Sequence, residues 1–181
     1  MSNFKKFPYG GGASLALAPI DLATAGATTL YANMRDVNDE LWLLLFLGVG
    51  TAAEEAIITL TQATSNAGAG VKALTVREAW YKKGAPTFTN ANASVQDRWT
   101  KSALMTRDAP TATYITASDR VAATNQFYAA IRIMAGDLDN ANGFTFVKAA
   151  INDVGAGAQL AFGLWVPEGY AAAGSNLSLL A

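Results

Sequence analysis

The sequence contains no cysteine and no histidine, and only 15% of its 181 residues are charged. Without thiol or imidazole groups the chain cannot form disulfides, zinc sites built from these ligands, or the Ser-His and Cys-His pairs of nucleophilic enzymes. Acid–base chemistry by carboxylates or lysine and metal binding by oxygen ligands remain open. Soluble domains carry about 25% charged residues. With 51% hydrophobic residues, we therefore expect apolar surface that another subunit covers.

The few charges are nearly balanced, with 13 Lys and Arg against 14 Asp and Glu. This balance gives no electrostatic reason to expect nucleic acid or an anionic membrane as a partner. A mildly basic stretch contains Lys82, Lys83, Arg98, Lys101 and Arg107. Because acidic residues stand beside it, this stretch favours a solvated face or a salt-bridged subunit contact over nucleic-acid binding.

Long hydrophobic runs are also missing. The most apolar run, Leu41 to Val49, has about half of the roughly 20 residues that a bilayer-spanning helix requires. We predict instead that this run is a buried strand, with Leu44 in the core. No membrane partner is expected.

Short runs rich in β-branched and aromatic residues recur along the chain, separated by Gly, Asn, Asp and Ser clusters. Several of these runs alternate between apolar and polar residues, which predicts strands with one face turned inward. The predicted strands are Thr28 to Asn33, Leu41 to Gly48, Ile57 to Gln62, Ala73 to Lys82, Arg98 to Leu104, Ala112 to Thr116, Gln126 to Met134, Phe144 to Ile151 and Gln159 to Val166.

Strands at this spacing predict an all-β fold, a single-domain β-sandwich with either jelly-roll or immunoglobulin-like strand order. No repeat or linker divides the chain. We predict an extended N-terminal arm over 1–27, the sandwich core over 28–170, and an uncharged C-terminal tail over 171–181.

Three motifs resemble sites of known chemistry, and each has a simpler explanation. Gly48 to Ala53 spells G-x-G-x-x-A, but a strand follows where a dinucleotide site needs a long helix, so we predict a hairpin loop. The Asx-rich segment Gly136 to Gly143 lacks the ligand spacing of a calcium loop and predicts a tight turn. The acidic clusters at 36–40 and 54–55 are explained by solvated strand ends. We therefore expect no catalytic residues, no metal and no cofactor.

The tryptophans Trp42, Trp80, Trp99 and Trp165 admit two interpretations. They are core or interface anchors, or they form a platform on which a ligand stacks. A carbohydrate-binding sandwich would expose Trp80, Trp99 and Trp165 in a row, whereas burial of these rings would remove the main support for that function.

The order of several segments resembles a family of tailed-phage virion structural proteins, over roughly residues 28 to 170. The segments that carry the resemblance are Ile58 to Thr64 (ITLTQAT), Asn66 to Leu74 (NAGAGVKAL), Gly136 to Phe144 (GDLDNANGF), Val147 to Gly155 (VKAAINDVG) and Ala158 to Ala161 (AQLA). The chain departs from the family pattern at Glu168 to Tyr170 and in the tail that follows.

The resemblance implies a non-enzymatic virion protein, specifically a decoration or cement protein on the outer capsid. Its expected partners are the major capsid protein and further copies of itself, for which we expect a trimer. A tail-tube, neck or connector subunit of the virion is the alternative. Arms that order on a neighbour suit such a subunit, so the expected contact residues are Phe4, Phe7, Tyr9, Leu15, Leu17, Leu177, Leu179 and Leu180.

Overall fold

A computed structural model describes residues 13–23, 25–51, 55–83, 99–116, 126–152 and 154–170. These residues form an all-β structure of two antiparallel sheets, which confirms the predicted single-domain β-sandwich. The strands are β1 (Ser14–Asp21), β2 (Ala27–Thr28), β3 (Ala32–Asn33), β4 (Val37–Leu47), β5 (Ile57–Ala63), β6 (Lys72–Ala73), β7 (Glu78–Lys83), β8 (Thr100–Lys101), β9 (Thr113–Ile115), β10 (Phe127–Met134), β11 (Phe146–Ile151) and β12 (Leu160–Tyr170). No helix in these ranges is long and apolar enough to cross a membrane.

Sheet A has the strand order β1-β12-β4-β10-β7-β8. Sheet B has the order β2-β11-β5-β6, and in addition β3 pairs with β11 and β9 pairs with β5. The two longest strands, β4 and β12, pair along most of their lengths near the middle of sheet A. Sheet A therefore provides the broadest regular surface in the molecule.

The core lies between the two sheets and is made by alternate residues of each strand. In sheet A the inward side chains include Leu41, Leu43, Leu45, Leu47, Phe127, Ile131, Ile133 and Trp165; in sheet B they include Ile58, Leu60, Tyr114, Val147 and Ile151. The rings of Tyr114 and Phe127, which belong to opposite sheets, have centroids 6.4 Å apart. Period-2 burial is what the sequence alternation predicted for these strands.

Leu44 is not a core residue, contrary to the prediction. Its neighbours Leu43 and Leu45 are 0% and 2% exposed, whereas Leu44 is only half-buried. Successive strand residues point to opposite faces, so Leu44 points away from sheet B. The run LWLLLF gave no alternation from which to choose the inward positions, and the choice of Leu44 was wrong.

Strand β1 is an edge strand that the sequence analysis places in an extended arm. Ser14–Asp21 pairs antiparallel with β12, and two register shifts interrupt the pairing. Leu22, which follows β1, is completely buried. The predicted arm over 1–27 is therefore corrected for these residues, while residues 1–12 and the tail over 171–181 lie outside the described residues.

The sequence predicted a hairpin loop between β4 and β5. This prediction is wrong, because the two strands belong to different sheets. It carries the chain from sheet A to sheet B. The amide of Gln159 donates to the carbonyl of Gly48 at 3.0 Å, and a Cβ on Gly50 would lie 2.8 Å from the same amide nitrogen. The glycines of this motif thus permit close packing against Gln159.

Candidate functional site

Of the eight predicted contact residues, the structure describes only Leu15 and Leu17. Leu15 is 42% exposed on β1, whereas Leu17 is 7% exposed and belongs to the core. Leu17 is therefore not available to a partner subunit, and Leu15 is. The predicted contacts Phe4, Phe7, Tyr9, Leu177, Leu179 and Leu180 lie outside the described residues.

The acidic residues around β4 do not form a catalytic pair. Glu40 lies near the start of β4 and forms an ion pair with Arg132. Glu55 comes after the end of β4, where its carboxylate accepts a hydrogen bond from the Thr116 hydroxyl at 3.3 Å. The two carboxylates therefore have separate protein partners, one near the start of β4 and the other beyond its end.

The Asx-rich segment is a compact turn held by protein groups. Lys72 forms an ion pair with Asp139, and Asn142 donates to the same carboxylate at 2.9 Å. Two hydrogen bonds lower the pKa of Asp139 below the ordinary aspartate value of 3.8. The bond from Lys72 has the larger effect, and the bond from Asn142 has the smaller. The buried amide of Gln62 accepts from the Asp139 backbone N–H at 2.9 Å. Gly143, with φ of 80°, ends the turn, as expected for a residue without a side chain.

Asp137 has equally specific partners. Its carboxylate accepts from the backbone N–H of Met134 at 3.0 Å and lies 3.1 Å from the Arg77 guanidinium. The two acidic groups therefore hold the turn against β10 and against the segment around β6. Within the described ranges no three acidic side chains converge as ligands for a metal ion.

The tryptophans divide between the core and one surface. Trp165 is completely buried, and its Nε1 donates to the carbonyl of Leu30 at 3.1 Å. Trp42, Trp80 and Trp99 are half-buried. Trp165 is thus a core anchor, whereas Trp42 and Trp80 belong to a surface that the sequence did not predict, and Trp99 lies beside Lys82 at its corner.

This surface is the outward side of sheet A, and nine residues define it. They are Trp42, Leu44 and Phe46 on β4, Trp80 on β7, Tyr128 and Ala130 on β10, and Phe162, Leu164 and Val166 on β12; we call this the apolar face. The strand register places them in cross-strand rows: Phe162, Phe46 and Tyr128 form one row, and Leu164, Leu44, Ala130 and Trp80 form the next. The Phe46 and Tyr128 rings are 4.9 Å apart.

Among the described residues, the charged side chains beside the apolar face lie toward its ends and on the edge strand β8. At one end Arg132 forms ion pairs with Glu40 and Glu78, and the Trp80 Nε1 donates to Glu78 at 2.6 Å. Glu168 is paired with Glu40 across the strands at the same end. Three carboxylates and one guanidinium give this end a net charge of −2.

The opposite corner of the apolar face is basic. The Lys101 ammonium lies 5.9 Å from the centre of the Trp80 ring, and the Lys82 ammonium lies 6.0 Å from that of Trp99. Such contacts are typical of cation–π interactions. The face thus has an apolar middle, an acidic end and a basic corner.

The outward side of sheet B has a different composition. Its middle is formed by Thr59, Thr61, Thr113 and Lys148, which are joined by the strand register. Lys148 places its ammonium 5.2 Å from the centre of the Tyr31 ring. Ile57 and Ile115 add apolar groups at one end, and Phe146 adds a half-buried ring at the other. The sandwich therefore presents one apolar and one mainly polar sheet surface.

A signal for the apolar face was present in the sequence. The run LWLLLF in β4 is apolar at both odd and even positions, and GLWV in β12 repeats the pattern, as in strands covered on both sides. Only the strand order of sheet A shows that these two runs are neighbours. The sequence alone could not place Trp80 and Tyr128 beside them.

Comparison with known proteins leaves the evidence for function with the structure itself. No protein-family model, no curated protein and no solved structure matches this chain.

Proposed function

We propose that this chain is a non-enzymatic structural protein of a virion, specifically a decoration or cement protein that binds the outer capsid shell. The observation that carries the proposal is the apolar face. It consists of nine neighbouring apolar or aromatic residues on the outward side of a regular sheet, seven of them half-buried and two, Ala130 and Val166, buried between their neighbours. The other sheet has Thr and Lys in its middle. A large contiguous apolar patch on a soluble protein marks an interaction surface.

The composition of this face suits a protein partner. Trp, Tyr, Phe and Leu occupy its middle and charged residues its ends, which matches the apolar centre and polar rim of protein interfaces. A sheet surface with apolar side chains in several neighbouring strands offers many shallow contacts to a protein partner. Repeated over symmetry-related copies, such contacts give strong attachment without a single tight site.

The similarity of the turn and strand segments to tailed-phage virion proteins supplies the class of assembly. Those segments lie in β5, in the turn before β11, and in β11 and β12, so they are part of the scaffold that supports both sheets. Exposed Leu15 at the edge of sheet A adds a further contact position. We propose that the segments at 1–12 and 171–181 contribute contacts to the shell.

The proposal is tested by the occupancy of variants on the particle. Leu44→Arg places a charge in the middle of the apolar face, and Thr59→Arg places the same charge in the middle of sheet B's outward surface. We expect particles assembled with Leu44→Arg to carry at least about tenfold less of the chain than wild-type particles, because an unpaired charge in an apolar interface is costly. Quantitative mass spectrometry of purified particles measures the occupancy.

Thr59→Arg is the matched control and should retain near-normal occupancy. Both variants should first be shown to melt within a few degrees of wild type, since both positions are half-buried on outward faces. Equal occupancy of Leu44→Arg and wild type would contradict the proposal.

A carbohydrate-binding function is the second candidate, because Trp42, Trp80 and Trp99 are half-buried on one surface. The burial of Trp165 removes one of the three rings on which that function depended. Binding of the purified chain to insoluble polysaccharides separates the two functions. Retention by a polysaccharide that Trp80→Ala abolishes would favour the carbohydrate function.

A further inference from the structure

We propose that a second copy of this chain covers the apolar face, in a twofold dimer that places the acidic end of each copy against the basic corner of the other. The inference rests on the proposed function in taking the apolar face to be a protein-binding surface. It assigns that face to the contact between two copies, in place of the expected trimer, and leaves attachment to the shell to other surfaces such as the edge of sheet A at Leu15. It names the partner and the symmetry of the contact.

The charges of this surface lie at different positions along the strands. Glu40 is opposite Met134 in the register of β4 and β10, while Lys82 of β7 is opposite Tyr128. Met134 and Tyr128 are six residues apart on β10, which corresponds to about 20 Å along an antiparallel strand. Lys82 is therefore at the opposite end of the strands from Glu40, whereas Lys101, which pairs with Trp80, is level with the middle row on the edge strand β8. The basic corner lies diagonally across the surface from Glu40 and Glu168.

A single surface with both charges can complement itself. Suppose that two copies face each other through their apolar faces and that a twofold axis lies in the plane between them. Each point of one face then lies opposite the point of the other face that is equally far from the axis on its other side. An axis that passes over the middle of the face, near Ala130, exchanges the end at Glu40 and Glu168 with the corner at Lys82 and Lys101. One symmetry operation then forms both charge contacts.

The middle of the face fits the same arrangement. Ala130 has the smallest side chain of the nine and lies between Leu44 and Trp80 in its row. Ala130 is completely buried, so the two copies would meet at the axis through its half-buried row neighbours Leu44 and Trp80, with the rings of Phe46 and Tyr128 to one side. A surface with charges of one sign would require a partner of the opposite sign, whereas this surface contains its own complement.

The size of the face sets the strength that we expect. Four central strands spaced by about 4.8 Å and about 20 Å long cover roughly 400 Å² in outline. This is about half of the roughly 800 Å² per partner that interfaces of standard size bury, which is the range of weak, transient contacts. A dimer with a dissociation constant in the micromolar range is therefore expected.

Sedimentation velocity of the full chain from about 1 to 200 µM tests the inference. We expect wild type to change from monomer to dimer over this range, and Leu44→Arg to remain monomeric throughout. Thr59→Arg should dimerise like wild type. Raising the salt concentration from 50 mM to 500 mM should weaken the wild-type dimer, because salt screens charges at the rim of an interface.

Charge exchange tests the proposed symmetry. One variant carries Lys82→Glu and Lys101→Glu, and a second carries Glu168→Lys. Neither should dimerise as strongly as wild type, and we expect each to lose at least about tenfold in affinity. Mixed in equal amounts, the two should form a heterodimer more tightly than either variant pairs with itself. One of its two contacts then joins opposite net charges, and in the other the acidic end has been brought to a net charge of zero by Glu168→Lys.

Wild type that stays monomeric at 200 µM would overturn the dimer, as would charge variants that pair with themselves as well as with each other. A monomer retained by a polysaccharide through the apolar face would also overturn it, in favour of a glycan occupant.

The two proposals fail separately. A chain that dimerises as described but is absent from purified particles would contradict the virion function alone, whereas a monomeric chain present on particles would contradict the dimer alone.

Discussion

Replacing Trp165 by alanine is expected to lower the free energy of unfolding by about 3 to 5 kcal/mol, the range for the loss of a large buried ring. Trp165 is completely buried between the sheets. Its removal leaves a cavity and also leaves the Leu30 carbonyl without the indole N–H that donates to it at 3.1 Å. Urea unfolding followed by circular dichroism measures the change.

Two control variants help to interpret this loss of stability. One separates the loss of packing from the loss of the hydrogen bond, and the other compares a core position with a surface position. Trp165→Phe retains most of the ring but loses the donor, so we expect a smaller loss of about 1 to 3 kcal/mol. Trp80→Ala, at a half-buried position on the apolar face, should reduce stability by less than Trp165→Ala does. A loss below 1 kcal/mol for Trp165→Ala would mean that this ring is not part of the core.

Replacing Arg132 by methionine is expected to cost about 2 to 4 kcal/mol of stability. Arg132 forms ion pairs with Glu40 and Glu78, and its side chain is 22% exposed, against 13% and 22% for the two carboxylates. Removing one partner of a buried ion pair costs about 3 to 5 kcal/mol because a charge is left uncompensated. Partial exposure of this cluster to solvent reduces the expected loss somewhat.

A double-mutant cycle assigns this loss to the ion pair. Glu78→Gln removes one carboxylate charge and keeps its shape, so the loss caused by Arg132→Met should be smaller when Glu78→Gln is already present. Chemical denaturation of the four proteins measures the coupling. Strictly additive effects would show that the guanidinium of Arg132 does not stabilise the fold through Glu78.

Much of the fold was predictable because β-sandwich strands alternate. In β10 the apolar residues Phe127, Ala129, Ile131 and Ile133 alternate with Arg132, and all four are buried as predicted. Strand β1 was missed because Gly and Pro residues surround its sequence and two register shifts interrupt its pairing. Such irregular edge strands lack the period-2 pattern on which the prediction depends.

The candidate site was harder to predict than the fold. The apolar face requires β12, β4, β10 and β7 to be neighbours in that order, and long-range pairing is not encoded by local periodicity. The ion pair between Glu40 and Arg132 joins residues far apart in the chain. By contrast, the turn that contains Asp139 was predictable, because its Asx and Gly residues act on their own local backbone.

Cryo-EM reconstruction of the particle that contains this chain tests the proposed function most directly. We expect density for the sandwich in many copies over the outer capsid lattice, with the apolar face buried against protein. Density confined to the portal vertex or the tail would contradict the decoration role and assign the chain to a connector or tail position. An apolar face open to solvent in every copy would contradict the claim that this surface drives assembly.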